Sequence, residues 1–330
     1  MSNYDSKTIA SFGDEWSRFD QKAMSEQEAR KAFEGYFAIF PWASLPENAE
    51  GFDMGCGSGR WARWVASKVN TVELTPPPNG GRLGGGRPEG SEASDLTRPL
   101  PNPPPLGEGT ITPNSTVLAP KVGRLHCIDP SDAIEVAKAN LADFGNVIFH
   151  RASVDEDCLP ANSQDFGYSL GVLHHVPDTE AAIRSCVDLL KPGAPLLLYL
   201  YYAFDNRPGW FRALWRVSDW GRRVIYRLPP GLKHVVTDVI ALLVYWPLAR
   251  LSGVLGRLGF NVGNIPLSFY RSHSFYTMRT DARDRFGTPL EQRFTRQQFK
   301  GMMERGGLTE IRFSESAPYW CAVGVKGQCC

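Results

Sequence analysis

The stretch that decides the fold is GFDMGCGSGRWARWVASKVN, Gly51–Asn70. It begins as a short apolar run ending in Asp53, passes through three glycines at alternate positions (Gly55, Gly57, Gly59), and continues as an amphipathic pattern. That order predicts a buried strand, a tight turn and a helix. Glycines in such a turn let backbone come close to a ligand, and the helix start offers unpaired N–H groups. Beyond Asn70 the pattern dissolves. From Thr75 to Pro113 prolines and glycines crowd together, and no Phe, Trp or Tyr occurs between Trp64 and Phe144. A segment of this composition buries too little apolar surface to offset its ordering entropy. Its flanks, VASKVN at Val65–Asn70 and LAPKVG at Leu118–Gly123, are near-copies. Removing the intervening ~50 residues joins helix to strand through a short loop of ordinary length. A disordered Pro/Gly-rich insert at about 70–118 therefore interrupts one unit.

With the insert set aside, strand and helix patterns alternate. RLHCID, NVIFHRAS, DFGYSLGVLHHV and APLLLYLYY read as strands; SDAIEVAKANLADF and DTEAAIRSCVDLLKPG read as helices between them. Strands apolar throughout, separated by helices, predict a parallel sheet covered on both faces, with ligands at the carboxyl ends of its strands. TRQQFKGMMERGGL reads as a helix with a Thr cap and a Gly-Gly stop. TEIRFSES and YWCAVGVKG follow as a final pair antiparallel to each other. The expected class is α/β, a Rossmann-like seven-stranded, mostly parallel sheet with an antiparallel last strand, plus a helical insertion after the fifth strand. The expected organisation is an N-terminal helical segment at 1–44, a core at 45–203, a helical lid and loop at 204–293, and the last helix and two strands at 294–330.

The glycine spacing is GxGxG behind an acid, not the GxGxxG of a dinucleotide site. Asp129 ends the next strand, where a carboxylate suits the ribose hydroxyls of an adenosine. Taken with these features, FDMGCGSGRWA, CIDPSD, ASVDEDCLP, YSLGVLHHVPD and LLKPGAPLLLYLY resemble, in order, the motifs of class I S-adenosylmethionine-dependent methyltransferases, especially the branch acting on small molecules and lipid-pathway intermediates. The resemblance implies S-adenosyl-L-methionine as cofactor. Asp53, Gly55, Cys56, Gly57 and Gly59 would shape its methionine end. Asp129 and Pro130 would lie at its ribose, Ser153 and Val154 at its adenine, and Leu170 and Gly171, with Leu173, beneath the sulfonium. Ala152 and Ser153 depart from the commonest adenine-side pattern, which carries an Asp there. A nicotinamide oxidoreductase and a catalytically silent cofactor-binding scaffold are the alternatives.

Methyl transfer is an in-line displacement, in which positioning does much of the work and a base is needed only if the acceptor must lose a proton. His174 and His175 are the candidates for that base; packing at a strand end is their other reading. SFGDEWSRFD, Ser11–Asp20, is expected to fold over the cofactor with Trp16 and Phe19 as walls. The polar stretch Ser274–Pro289 is read as a loop binding the acceptor through Tyr276, Arg279 and Asp281.

Lys plus Arg (36) nearly balance Asp plus Glu (35), so charge gives no case for nucleic acid. Seven cysteines include no CxxC and no ligand spacing of the zinc type, so no metal and a reducing compartment are expected. The polar, acidic opening residues point to a cytoplasmic location. The segment Phe204–Phe260 carries nine Lys or Arg against three Asp, with interleaved tryptophans, and is read as two or three helices broken near Pro247. It suits either a lid over a small-molecule or lipid-linked acceptor or a peripheral membrane contact. Its longest apolar run, Val235–Ala249, is shorter than a bilayer span. Nothing in the sequence sets the oligomeric state.

Overall fold

The computed structural model describes residues 3–67 and 122–328, which fall in one compact unit. The expected insert at about 70–118 and the Cys329–Cys330 pair lie outside these residues. Two helices, α1 (Ser6–Arg18) and α2 (Glu26–Phe37), precede the sheet. Then come β1 (Ala49–Met54), α3 (Ala62–Ala66), β2 (Val122–Ile128), α4 (Ala133–Asn140), β3 (Val147–His150), β4 (Phe166–Leu170), α5 (Thr179–Leu189) and β5 (Pro195–Tyr199). The chain closes with α6 (Gly209–Ile225), α7 (Pro230–Ile240), α8 (Trp246–Arg257), α9 (Phe275–Gly287), α10 (Arg296–Arg305), β6 (Leu308–Phe313) and β7 (Cys321–Lys326).

The seven strands lie in the order β3-β2-β1-β4-β5-β7-β6, with β7 antiparallel to both neighbours and the other pairs parallel. Residues alternate between two cores, as period-2 geometry requires. Phe52, Leu196 and Leu198 face α5 and α10, where Ile183, Phe299 and Met303 meet them. Leu125, Cys127, Tyr168 and Leu197 face the other way, toward Phe37, Trp61 and Ile134. Chain order reverses between β1 and β4, which opens a crevice at their carboxyl ends. α10 starts with the expected Thr295 cap, completed by Gln298 as a capping box, and stops at Gly306 and Gly307.

Three expectations are corrected. The fourth strand does not run on through the histidines: it ends at Leu170, Gly171 takes φ +81, and Leu173–His175 form a 3-10 turn. Ser274–Pro289 is not a loop. Its main part is α9, capped by the Ser274 hydroxyl on the Thr277 N–H; because its buried side carries Thr277, Thr280, Arg283 and Arg285, no apolar stripe announces it. Nor does the helix break at Pro247. α7 and α8 are continuous through a π-helical turn, Ala241–Tyr245, immediately before that proline.

Candidate active site

Gly55 and Gly57 take φ of +79 and +54, a backbone region costly for other residues. A Cβ on Gly55 would stand 2.4 Å from Val172, and one on Gly57 3.2 Å from the Trp16 indole. The turn therefore has no room for side chains, and it leaves the Gly57 N–H aimed at Asp129, whose Oδ2 accepts it at 2.9 Å. The other carboxylate oxygen accepts from the Ser131 N–H (2.9 Å) and hydroxyl (2.6 Å). Oδ2 retains one free lone pair, so Asp129 is oriented by the protein and still able to accept from a ligand. Burial pushes its carboxyl up, with the Ser131 and Gly57 bonds opposing.

A cavity of about 820 Å³ starts at this turn and runs into the helical layer. Gly55, Cys56, Gly57, Asp129, Pro130, Ser153, Val154, Leu170 and Gly171 all line it. Gly59 does not: it packs on α4, where a Cβ would stand 2.7 Å from Leu141. Asp53 also lies out of the cavity wall, buried under the turn in register with Tyr168. Neither of its oxygens meets a partner, and burial pushes its carboxyl up to about 8, with the Tyr168 hydroxyl opposing. On α1, Trp16 forms a wall as expected, with Arg60 5.4 Å above its ring, whereas Phe19 packs away against Tyr276.

The two histidines part company. His174 is fully buried outside the cavity, its ring 4.0 Å from that of His175 and 3.9 Å from that of Tyr201. Both its nitrogens lack partners. Burial, with the nearby Arg293 adding to it, holds it well below the usual imidazole range. It cannot reach an acceptor. His175 lines the cavity, and its Nδ1 lies 2.6 Å from the Leu290 carbonyl. A carbonyl only accepts, so Nδ1 carries the proton and Nε2 keeps a lone pair. Nε2 has no hydrogen-bond partner; Asp284 Oδ1 is 3.8 Å away. The Tyr201 hydroxyl donates to the other oxygen of Asp284.

Of the three expected acceptor residues, α9 brings only Asp281 to the cavity, where it accepts from Tyr270 at 2.7 Å and is pushed up to about 6 by burial. Tyr276 accepts from the Gln21 N–H, and Arg279 is a bidentate partner of Asp238 at 2.9 and 2.7 Å, so both are structural. Sequence reasoning missed Glu15, Tyr201, Asp284 and Arg293, all lining the cavity. Glu15 is fully buried on α1 with neither oxygen partnered. Burial and the nearby Asp284 raise its carboxyl well above the usual range. An unpartnered carboxyl beside Asp281 and Asp284 suits a cationic ligand. Among the described residues no group of His, Cys, Asp and Glu is placed to hold a metal.

A model for a methyltransferase domain matches residues 106–198. The ubiquinone biosynthesis O-methyltransferase of Citrobacter koseri is 29% identical over 119 residues, covering 35% of this chain and 46% of the relative. That of Xanthomonas axonopodis pv. citri is 32% identical over 111 residues, covering 33% and 44%. The chain thus spans less than half the length of these relatives. Human N-acetylserotonin methyltransferase, solved with S-adenosylmethionine, is 12% identical, with a TM-score of 0.43 over 92% of this chain and 57% of that one. Residues 106–198 thus match a methyltransferase domain, and the crevice built from the glycine turn and the acid ending β2 is suited to S-adenosyl-L-methionine.

Proposed function

We propose that the chain methylates a hydroxyl of a small-molecule or lipid-linked acceptor with sizeable apolar bulk. The observation that carries this reading is His175: its Nδ1 faces a backbone carbonyl, its buried Nε2 has no partner, and the residue lines the same cavity as the glycine turn. The names of the relatives, both O-methyltransferases, support an oxygen acceptor.

Bound S-adenosylmethionine supplies a methyl group already activated on a positively charged sulfur. Asp129 would accept from the ribose, Ser153 and Val154 would flank the adenine, and the Gly55–Gly57 backbone would meet the methionine end. Glu15, Asp281 and Asp284 place acidic groups where the ligand brings positive charge. His175 Nε2 would take the acceptor's proton, and Asp284 faces the imidazolium that results. Tyr36, Tyr199, Tyr201 and Phe12 line the cavity around this point, and their rings keep water from it.

Asp129→Ala should weaken S-adenosylhomocysteine binding by about 1–3 kcal/mol, because a ribose partner and the anchor of the Gly57 N–H are lost together; calorimetry measures it, and unchanged affinity removes Asp129 from the site. The function itself is tested by incubating the chain and methyl-labelled cofactor with aqueous and lipid extracts of the source cells. A labelled methyl ether supports the reading. Label on nitrogen or carbon, or no transfer by a chain that binds S-adenosylhomocysteine, overturns it.

A further inference from the structure

The helical layer has its polarity reversed. Along α7 and α8 the side turned to the protein carries Lys233, His234, Thr237, Ala241, Tyr245 and Ser252. The side turned outward carries Leu232, Val235, Val239, Leu242, Trp246 and Leu251, at helical spacing. A helix resting on a protein core in water shows the opposite arrangement. α6 extends the outward face with Trp210, Leu214, Val217, Trp220 and Val224; Val217 is 68%, Trp220 73% and Leu243 67% exposed. An exposed apolar surface of this extent marks a binding face.

Charge identifies the occupant. Arg212, Arg216 and Arg223 form a row at helical spacing along α6, beside the apolar residues, and the exposed Arg227 follows just past its end. Four of α6's neighbouring cations (Arg212, Arg216, Arg222 and Arg223) line a second cleft of about 370 Å³, shared with Asp219 and Glu291. A second copy seated symmetrically would bring related arginines toward one another, whereas an anionic lipid leaflet pairs them and accepts the tryptophans at its headgroup level. The helix Pro230–Arg257 is long and apolar enough to cross a bilayer by length and composition, with a mean hydropathy of 1.7 over an 18-residue window. Its inward side is nevertheless tied to the protein: His234 to Asp14 (3.1 Å), and Asp238 to Arg18 (2.8 Å) and Arg279 (2.7 Å). Those pairs hold it flat. The cavity also reaches this face, since the exposed Leu214, Val244 and Phe269 are among its lining residues.

We infer that α6, α7 and α8 lie on an anionic membrane surface and that the acceptor enters the cavity from the lipid. This rests on the reading of the cavity as an acceptor site, but its test does not. The full chain is sedimented with vesicles of phosphatidylcholine alone and of equimolar phosphatidylcholine and phosphatidylglycerol, at low and high salt, and S-adenosylhomocysteine binding is measured on the same preparation. Binding to the anionic vesicles, reduced by salt, is expected. The triple variant R212Q/R216Q/R227Q should bind them about a hundredfold more weakly, and Trp220→Ser with Leu243→Ser should also lose binding, both keeping their cofactor affinity. Absence of vesicle binding by a chain that takes up S-adenosylhomocysteine overturns the inference and leaves the methyltransferase reading standing. A vesicle-independent dimer that Trp220→Ser with Leu243→Ser dissociates overturns it in favour of a second copy. Vesicle binding by a chain that transfers no methyl leaves the membrane inference and removes the function.

Discussion

Replacing His175 with alanine should lower turnover about 100-fold or more while leaving S-adenosylhomocysteine affinity unchanged, and replacing His174 should change neither turnover nor affinity to that extent. The asymmetry follows from their surroundings. His175 lines the cavity, with one nitrogen fixed by the Leu290 carbonyl and the other buried without a partner. His174, the preceding residue of the same 3-10 turn, packs against Tyr201 with both nitrogens unpartnered and is held neutral by burial. Single-turnover rates for the two variants, measured beside calorimetry, separate chemistry from binding. A fall of less than about tenfold in His175→Ala would mean that the acceptor needs no base, as an amine does not, and would reassign His175 to packing.

The cofactor half of the site was legible because its requirements are local. A turn that must hold positive φ at alternate positions needs glycine at Gly55 and Gly57, and a ligand at the carboxyl end of a strand needs an acid where β2 stops. Such signals sit within a few residues of one another. The acceptor half was not legible, because it is assembled across the chain. Glu15 comes from α1, Tyr201 from the segment after β5, Asp284 from α9 and Arg293 from the approach to α10. No spacing connects them. α9 was hidden further by its buried arginines: Arg283, turned inward to Asp14 at 2.6 Å, occupies a position where a periodicity argument looks for leucine. The same ion pair, with His234 on Asp14, fastens α1 to α7 and α9, so the helix that supplies Trp16 to the cofactor end is held by the helices that cover the acceptor end.

Glu291→Ala should destabilise the fold by about 3–5 kcal/mol, because it strands two buried guanidinium groups. Arg285 lies 2.6 Å and Arg293 2.8 Å from one oxygen of Glu291, and none of the three side chains is more than 13% exposed. Burial opposes ionisation of this carboxyl, but Arg293 and Arg285 overcome it and bring the carboxyl down to about 2. A depressed carboxyl stabilises the fold fully above its unfolded value of 4.5 and loses that contribution as pH falls toward 2. The contribution is on the order of 3 kcal/mol. Thermal melts of the wild-type chain should therefore fall across that acid window, and those of Glu291→Ala should show less of this acid dependence and start about 10 °C lower at neutral pH. Arg285 keeps Asp219 at 3.7 Å, so Arg293 is the group left poorest in charge, and its guanidinium lies 4.9 Å over the ring of Tyr201. Tyr201 in turn donates to Asp284 and borders both histidines. The residue before Glu291 supplies the carbonyl that fixes His175. Turnover at a temperature where the variant is fully folded should consequently fall as well, while Glu291→Gln, which keeps an oxygen to accept from both arginines, should recover part of the stability. Melting curves indistinguishable from wild type at neutral pH would show that the two arginines find other partners, and would detach this ion cluster from both the fold and the base.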